Sequence, residues 1–169
     1  MLITIEGIDG SGKGTQTKLL FEKLRKKFKT VMFSFPSYEN TFFGREVGAF
    51  LRGEYGTIDQ VHPKIASILF AGDRYEKSKE IRKYLDEGYI VICDRYADSN
   101  IAHQVSKLPH GERESMMQWL DELEYEVMGI PRPDMTLFLD IPSNITTELV
   151  LKKEERTYIE SKEDIHEAD

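Results

Sequence analysis

The sequence predicts an α/β fold in which a central parallel sheet is flanked by helices on both faces. Three observations lead there. Short apolar runs at LITI (2–5), VMFSF (31–35), YIVIC (89–93) and MTLFLDI (135–141) have the length and residue types of strands. Stretches with apolar residues at helical spacing lie between them. The chain, at 169 residues and 40% hydrophobic, is long enough to bury one sizeable core. Strands that alternate with helices run parallel, and such sheets gather ligands beyond the carboxyl ends of their strands.

Taken in order, LITI stops at a glycine-rich turn, and Leu20, Leu24 and Phe28 then repeat at helical spacing. VMFSF is ended by Pro36, which cannot continue a central ladder. From Val61 to Leu85 the residues Ile65, Ile68, Leu69, Ile81 and Leu85 mark a long helix, with Gly88 as its stop. YIVIC, which ends at Asp94, and MTLFLDI, which follows Pro131 and Pro133, read as buried parallel strands. Between them, Ser115 to Met128 sets Met116, Trp119, Leu120, Leu123 and Val127 on one helical face, where core packing is the role for Trp119. From Thr146 onward the chain is strongly charged (LKKEER, ESKEDIHEAD), which reads as a solvated helix or a flap.

Composition narrows the function. No apolar run reaches the eighteen or so residues that span a bilayer, and Met1 leads straight into an alternating apolar segment, so a soluble cytoplasmic protein with no membrane partner is expected. The lone Cys93, inside an apolar run, reads as a buried, unreactive thiol suited to a reducing compartment. A net charge of −7 disfavours non-specific binding to nucleic acid, so any anionic ligand must meet a locally positive pocket. His166 has no second histidine at metal-ligand spacing, which leaves no zinc site.

That pocket has a candidate in GIDGSGKGTQ, Gly7 to Gln16. Gly7, Gly10 and Gly12 allow a tight turn whose amides, with Ser11, Gly14 and Thr15 beside them, converge on a phosphate at the start of a helix, while Lys13 reaches the outer phosphates. The loop has the strand-before, helix-after context of a P-loop NTPase fold. One residue departs from the motif. Gly14 stands where a serine or threonine hydroxyl would ligate magnesium, and it also costs ~1 kcal/mol of helix propensity against alanine. Either the loop has decayed or the metal is held differently. Asp94, at a strand end, is placed to hold a metal directly or through water. Arg95 beside it is either a phosphate reader or half of a structural salt bridge. Phe70 and Arg74, one helical turn apart, make either a platform for a flat ring or ordinary packing.

GIDGSGKGTQ, FPSYENTFFG, LFAGDRY and DRYADSNIAHQ together resemble thymidylate kinases, in the family's order and spacing, up to Ile141. The resemblance implies transfer of the γ-phosphoryl group of ATP to dTMP, with Mg2+ as cofactor, and a homodimer. It implies that Phe70 stacks on thymine and Arg74 bonds its carbonyl edge. Arg95 would grip the acceptor phosphate, and Ser99 and Asn100 would meet the base and its surroundings. Asp9 would lie near the acceptor sugar and the metal, with Phe35, Pro36 and Tyr38 walling the pocket. GKGTQ also resembles adenylate kinase loops, in which phosphates and water hold the magnesium, so Gly14 is compatible with a working enzyme in which Asp94 and Asp9 steady the ion through water.

No arginine lies between Gly7 and Lys13, so the cation over the transferring group must come from elsewhere. The resemblance implies the charged flap, where Arg156 is the only arginine after Arg132, with Lys152 and Lys153 as weaker substitutes. Asp164 and Glu167 resemble acidic residues that follow the flap. His103 replaces the family's usual tyrosine near the sugar, which loosens sugar discrimination. The expected organisation is a single kinase domain over 1–169, with a flexible lid at about 143–169 and the family's last strand and closing helix absent. The rival readings are a kinase for another nucleoside monophosphate or a nucleoside, and a non-catalytic nucleotide-gated binding module.

Overall fold

The computed structural model describes residues 1–57, 60–142 and 146. The chain divides into two compact units. Among the described residues, the first holds Met1–Phe35, Ser78–Tyr96 and 131–142 with Thr146; the second holds Pro36–Lys77 and Ala97–Ile130.

The first unit is built on four parallel strands, β1 (Leu2–Gly7), β2 (Thr30–Ser34), β3 (Ile90–Asp94) and β4 (Met135–Leu139), in the order β2-β3-β1-β4. All four strands foreseen from the apolar runs are present, and the sheet is parallel throughout. Leu2, Ile3 and Ile5 of β1 and Val91, Ile92 and Cys93 of β3 are buried, as expected of strands with neighbours on both sides. Cys93 is a buried thiol outside any disulfide. Register is anchored outside the ladder. The Leu2 amide donates to Asp134 Oδ2 at 2.6 Å, and the Thr4 and Thr136 hydroxyls lie 2.9 Å apart.

The sequence reading of β4 as buried fails. Among the described residues it is an edge strand, and Met135, Leu137 and Phe138 are exposed, the last by 64%. An apolar run records residue type, and burial depends on which strand gains a second neighbour. Helix α1 (Lys13–Leu24) lies against β1, β2 and β3. It ends before Phe28, which is 53% exposed and does not extend the helical face.

Helix α3 (Pro63–Asp86) is the long helix predicted. Its stop is Gly88, at φ 77°, with Gly88 N–H donating to Leu85 O and Tyr89 N–H to Tyr84 O, a Schellman closure that needs a left-handed residue. In the second unit α2 (Phe42–Leu51) is capped by Thr41, whose Oγ1 accepts the Gly44 amide at 2.8 Å. Val47, Phe50, Leu51 and Ala66 form its core, with Tyr38, Leu69 and Phe70 packed against them. Gly72 lets α3 accept the Phe43 ring, which would lie 2.5 Å from any Cβ placed there.

Helices α4 (Ala97–Val105) and α5 (Arg113–Asp121) bury Val105, Met116 and Leu120 together, with Trp119 against them as foreseen. The helix predicted over 115–128 does not stay α-helical. Glu122–Val127 is a wider π-helical turn. That turn buries Leu123 and Glu124 and throws Val127 out to 67% exposure, contrary to the helical-face reading. No helix among the described residues is long and apolar enough to cross a membrane.

Candidate active site

The phosphate-loop candidates all lie in the first unit. Gly7, Gly10 and Gly12 adopt φ 152°, 78° and 83°. A Cβ at Gly7 would meet Ser11 Oγ at 2.8 Å and Leu139 O at 2.9 Å, so glycine is required there for the loop to fold back on the sheet. Ser11 N–H bonds Ile8 O at 3.1 Å, and Gly12 caps α1 in the left-handed region. The Ser11 hydroxyl is buried with no hydrogen-bond partner among the described residues. Lys13 is buried at the first turn of α1 and bonds Ile8 O at 2.6 Å. Thr15 is exposed on α1, and Thr17 turns inward to bond Lys13 O at 2.8 Å.

Asp94 and Arg95 close the carboxyl end of β3. A Cβ on Gly14 would lie 3.2 Å from Asp94 Oδ2, so the absent side chain is what lets that carboxylate stand against the start of α1. A threonine there would gain a hydroxyl and press on the carboxylate. Arg95 is the one non-glycine described residue at positive φ, 64°. Its backbone is over-determined: Arg95 N–H bonds Ile5 O at 3.0 Å, and the next amide, Tyr96, bonds the buried Glu6 carboxylate at 2.6 Å. A strained residue held this firmly marks a side chain that must point one way. Its guanidinium pairs with Asp9 Oδ1, and Lys13 Nζ lies 3.5 Å from the same oxygen. Two cations therefore share one carboxylate. Phe35 is buried, its ring 5.9 Å from that of Tyr96.

The remaining described candidates, Pro36, Tyr38, Phe70, Arg74, Ser99, Asn100 and His103, lie in the second unit. Phe70 packs edge-on against Phe50, ring centroids 6.2 Å apart. Arg74 is buried, and its Nε bonds Glu124 Oε2 at 3.0 Å while Nη2 bonds Glu124 Oε1. Asn100 Nδ2 bonds the same Oε1 at 2.9 Å and Ser67 O at 3.1 Å. Burying a charge pair this completely is favourable only when its lone pairs and protons are satisfied, and Glu124 satisfies three donors. Asp73, next to Arg74, accepts the Ser37 amide at 2.7 Å and the Thr41 hydroxyl; burial raises its carboxyl above the ordinary aspartate value despite those bonds.

Sequence reasoning missed Glu6, Asp73 and Glu124. Glu6 carried one signal, a carboxylate closing an apolar strand. Glu124 is one of several acids in LDELEYEV, and nothing in that run singles it out. Arg156, Lys152, Lys153, Asp164, His166 and Glu167 lie outside the described residues. Among the described residues no three His, Cys, Asp or Glu side chains are grouped to hold a metal ion directly.

Residues 5–168 match the family model described as thymidylate kinase. The chain is 33% identical over 159 residues to the thymidylate kinase of Caenorhabditis elegans, covering 88% of this chain and 66% of that one. It is 33% identical over 156 residues to the thymidylate kinase of Schizosaccharomyces pombe (92% and 68%), and 37% identical over 145 residues to a probable thymidylate kinase of Pyrobaculum aerophilum (85% and 66%). It thus spans about two thirds of the length of these relatives. A solved thymidylate kinase structure from Candida albicans superposes with a TM-score of 0.68 at 32% identity, covering 92% of this chain and 68% of that one. A match that runs from β1 to the far end of the sequence, joined to a glycine-built phosphate loop and a parallel sheet, places the chain in the thymidylate kinase family.

Proposed function

We propose that the chain transfers the γ-phosphoryl group of ATP to dTMP, giving dTDP and ADP. The observation that carries this reading is Asp9 paired with both Lys13 and Arg95, a donor-side ammonium and an acceptor-side guanidinium converging on one anion. Phosphoryl transfer asks the protein to align two phosphates and cancel their repulsion. The bond from the γ-phosphorus to the β-bridging oxygen breaks as a bond to a dTMP phosphate oxygen forms. Lys13 and the loop amides hold the donor; Arg95 holds the acceptor. Phe70, Arg74, Ser99 and Asn100 serve the base, His103 the sugar, and Phe35, Pro36 and Tyr38 the pocket wall. Arg156 supplies the cation over the transferring group.

A magnesium ion would be held through water by Asp94 and Asp9, the absent side chain of Gly14 letting the Asp94 carboxylate stand against the start of the helix that follows the phosphate loop. When bound, the ion neutralises charge on the donor phosphates. The working form is a homodimer in the cytoplasm with ATP and dTMP as its partners. The test is an ADP-release assay with dTMP, dUMP, AMP and thymidine as acceptors, alongside light scattering for the dimer. Turnover with dTMP above the others is the expected result, and ATP binding with no acceptor consumed would refute it.

A further inference from the structure

Asn100 and Glu124 are buried in the same compact unit, 3% and 1% exposed. The amide nitrogen of Asn100 faces two groups that can only accept, Glu124 Oε1 at 2.9 Å and Ser67 O at 3.1 Å. Turning the carboxamide over would set its oxygen against two other oxygens, so this orientation is dictated by the neighbours. Asn100 Oδ1 is then left buried with no hydrogen-bond partner among the described residues. A buried acceptor in that condition is open to a donor that the described residues do not supply, such as a bound ligand. Glu124 also holds Arg74 through both carboxylate oxygens. One carboxylate therefore sets the direction of Arg74 and Asn100, two of the polar side chains assigned to the base.

Thymine carries a hydrogen on N3; cytosine has a lone pair there. We propose that Glu124 is a positioning residue that sets base selectivity. By fixing Asn100 with Oδ1 as the unpaired acceptor, it admits a pyrimidine whose N3 bears hydrogen and refuses one whose N3 is an acceptor. An asparagine without this clamp is held only by the Ser67 carbonyl and turns its amide more readily to suit either base. A site built to bond one polar pattern rejects the opposite pattern strongly, because both partners are left unpaired. The inference rests on the dTMP reading above.

The test compares kcat/KM for dTMP and 5-methyl-dCMP in the full chain, its Glu124→Met and Glu124→Gln variants, and each of these with Asn100→Ala. Glu124→Met removes the acceptor and keeps the length; its dTMP preference is expected to fall about tenfold or more, with KM for ATP unmoved. Glu124→Gln keeps one acceptor for Asn100 and is expected to retain the preference within about threefold while KM for dTMP rises. In the Asn100→Ala background, Glu124→Met is expected to change the preference clearly less than it does with Asn100 present, the remainder passing through Arg74. An unchanged preference in Glu124→Met, or an equal loss with and without Asn100, overturns the proposal. Should Glu124→Met fail to fold, wild-type enzyme that uses 5-methyl-dCMP as well as dTMP overturns it, and a Glu124→Gln variant that loses the preference does the same. Wild-type protein that turns over no dTMP refutes the functional reading itself, a separate result.

Discussion

The Asp9 carboxylate is paired with the guanidinium of Arg95, 86 residues along the chain, and with the Lys13 ammonium on the same oxygen. Neither cation is fully neutralised by a shared single charge, so the cluster retains net positive character where phosphates are proposed to meet. Replacing Arg95 with alanine is expected to lower kcat/KM for dTMP about 10²-fold or more, with ATP affinity within about threefold of wild type. Steady-state kinetics and ATP calorimetry check it; unchanged turnover counts against the acceptor role.

Arg95 also sits at φ 64°, a region that a side chain enters at a cost of roughly 1–2 kcal/mol. Glycine carries no such penalty. Arg95→Gly and Arg95→Ala both lose the guanidinium, yet the glycine variant is expected to be more stable than the alanine one by ~1 kcal/mol. Denaturant unfolding of the two variants decides this, and equal midpoints would mean that the turn relaxes when the arginine is removed.

Gly14→Ala sets two effects against each other. Alanine gains about 1 kcal/mol of helix propensity at the start of α1. Its Cβ would lie 3.2 Å from Asp94 Oδ2 and push that carboxylate away. Stability is expected to hold or rise while kcat falls about tenfold, because the displaced group is the one proposed to steady the ion. The variant's Tm and its kcat across a magnesium titration are the measurements.

Asp73 gives a pH signature. Burial raises its carboxyl above 3.8, so the folded state holds this proton more tightly than the unfolded chain. Its contribution to stability is therefore full below the ordinary aspartate value and is lost as pH rises through the raised folded value. Asp73→Asn has no such titration and can still accept the Ser37 amide. Relative to that variant, wild type is expected to lose stability as pH climbs from about 4 toward 7, read from urea midpoints at each pH. A difference that stays flat or moves the other way would contradict the raised value.

Much of this was legible before any coordinates. The loop GIDGSGKGTQ declared its strand, turn and helix because each glycine answers a local backbone demand, and the start of α1 followed. Gly88 announced the end of α3 for the same reason. What escaped were facts about neighbours. MTLFLDI reads as a core strand by composition, yet lies at the sheet edge with Phe138 exposed. Val127 fits the period of α5, but the helix widens before reaching it. Arg74 and Asn100 were visible as candidates, whereas Glu124, which binds both, was hidden among adjacent acids whose burial depends on that widening.

The π-helical turn at Glu122–Val127 thus acts as a vernier on the second unit. Removing one residue there would restore ordinary helical pitch while leaving the residues beyond the turn nearly in phase, so the change of facing is confined to the turn itself. In such a shortened chain a different residue would swing into the place of Glu124. A length change of one residue, far along the chain from the phosphate loop, would thus replace the partner that holds Arg74 and Asn100 without touching either.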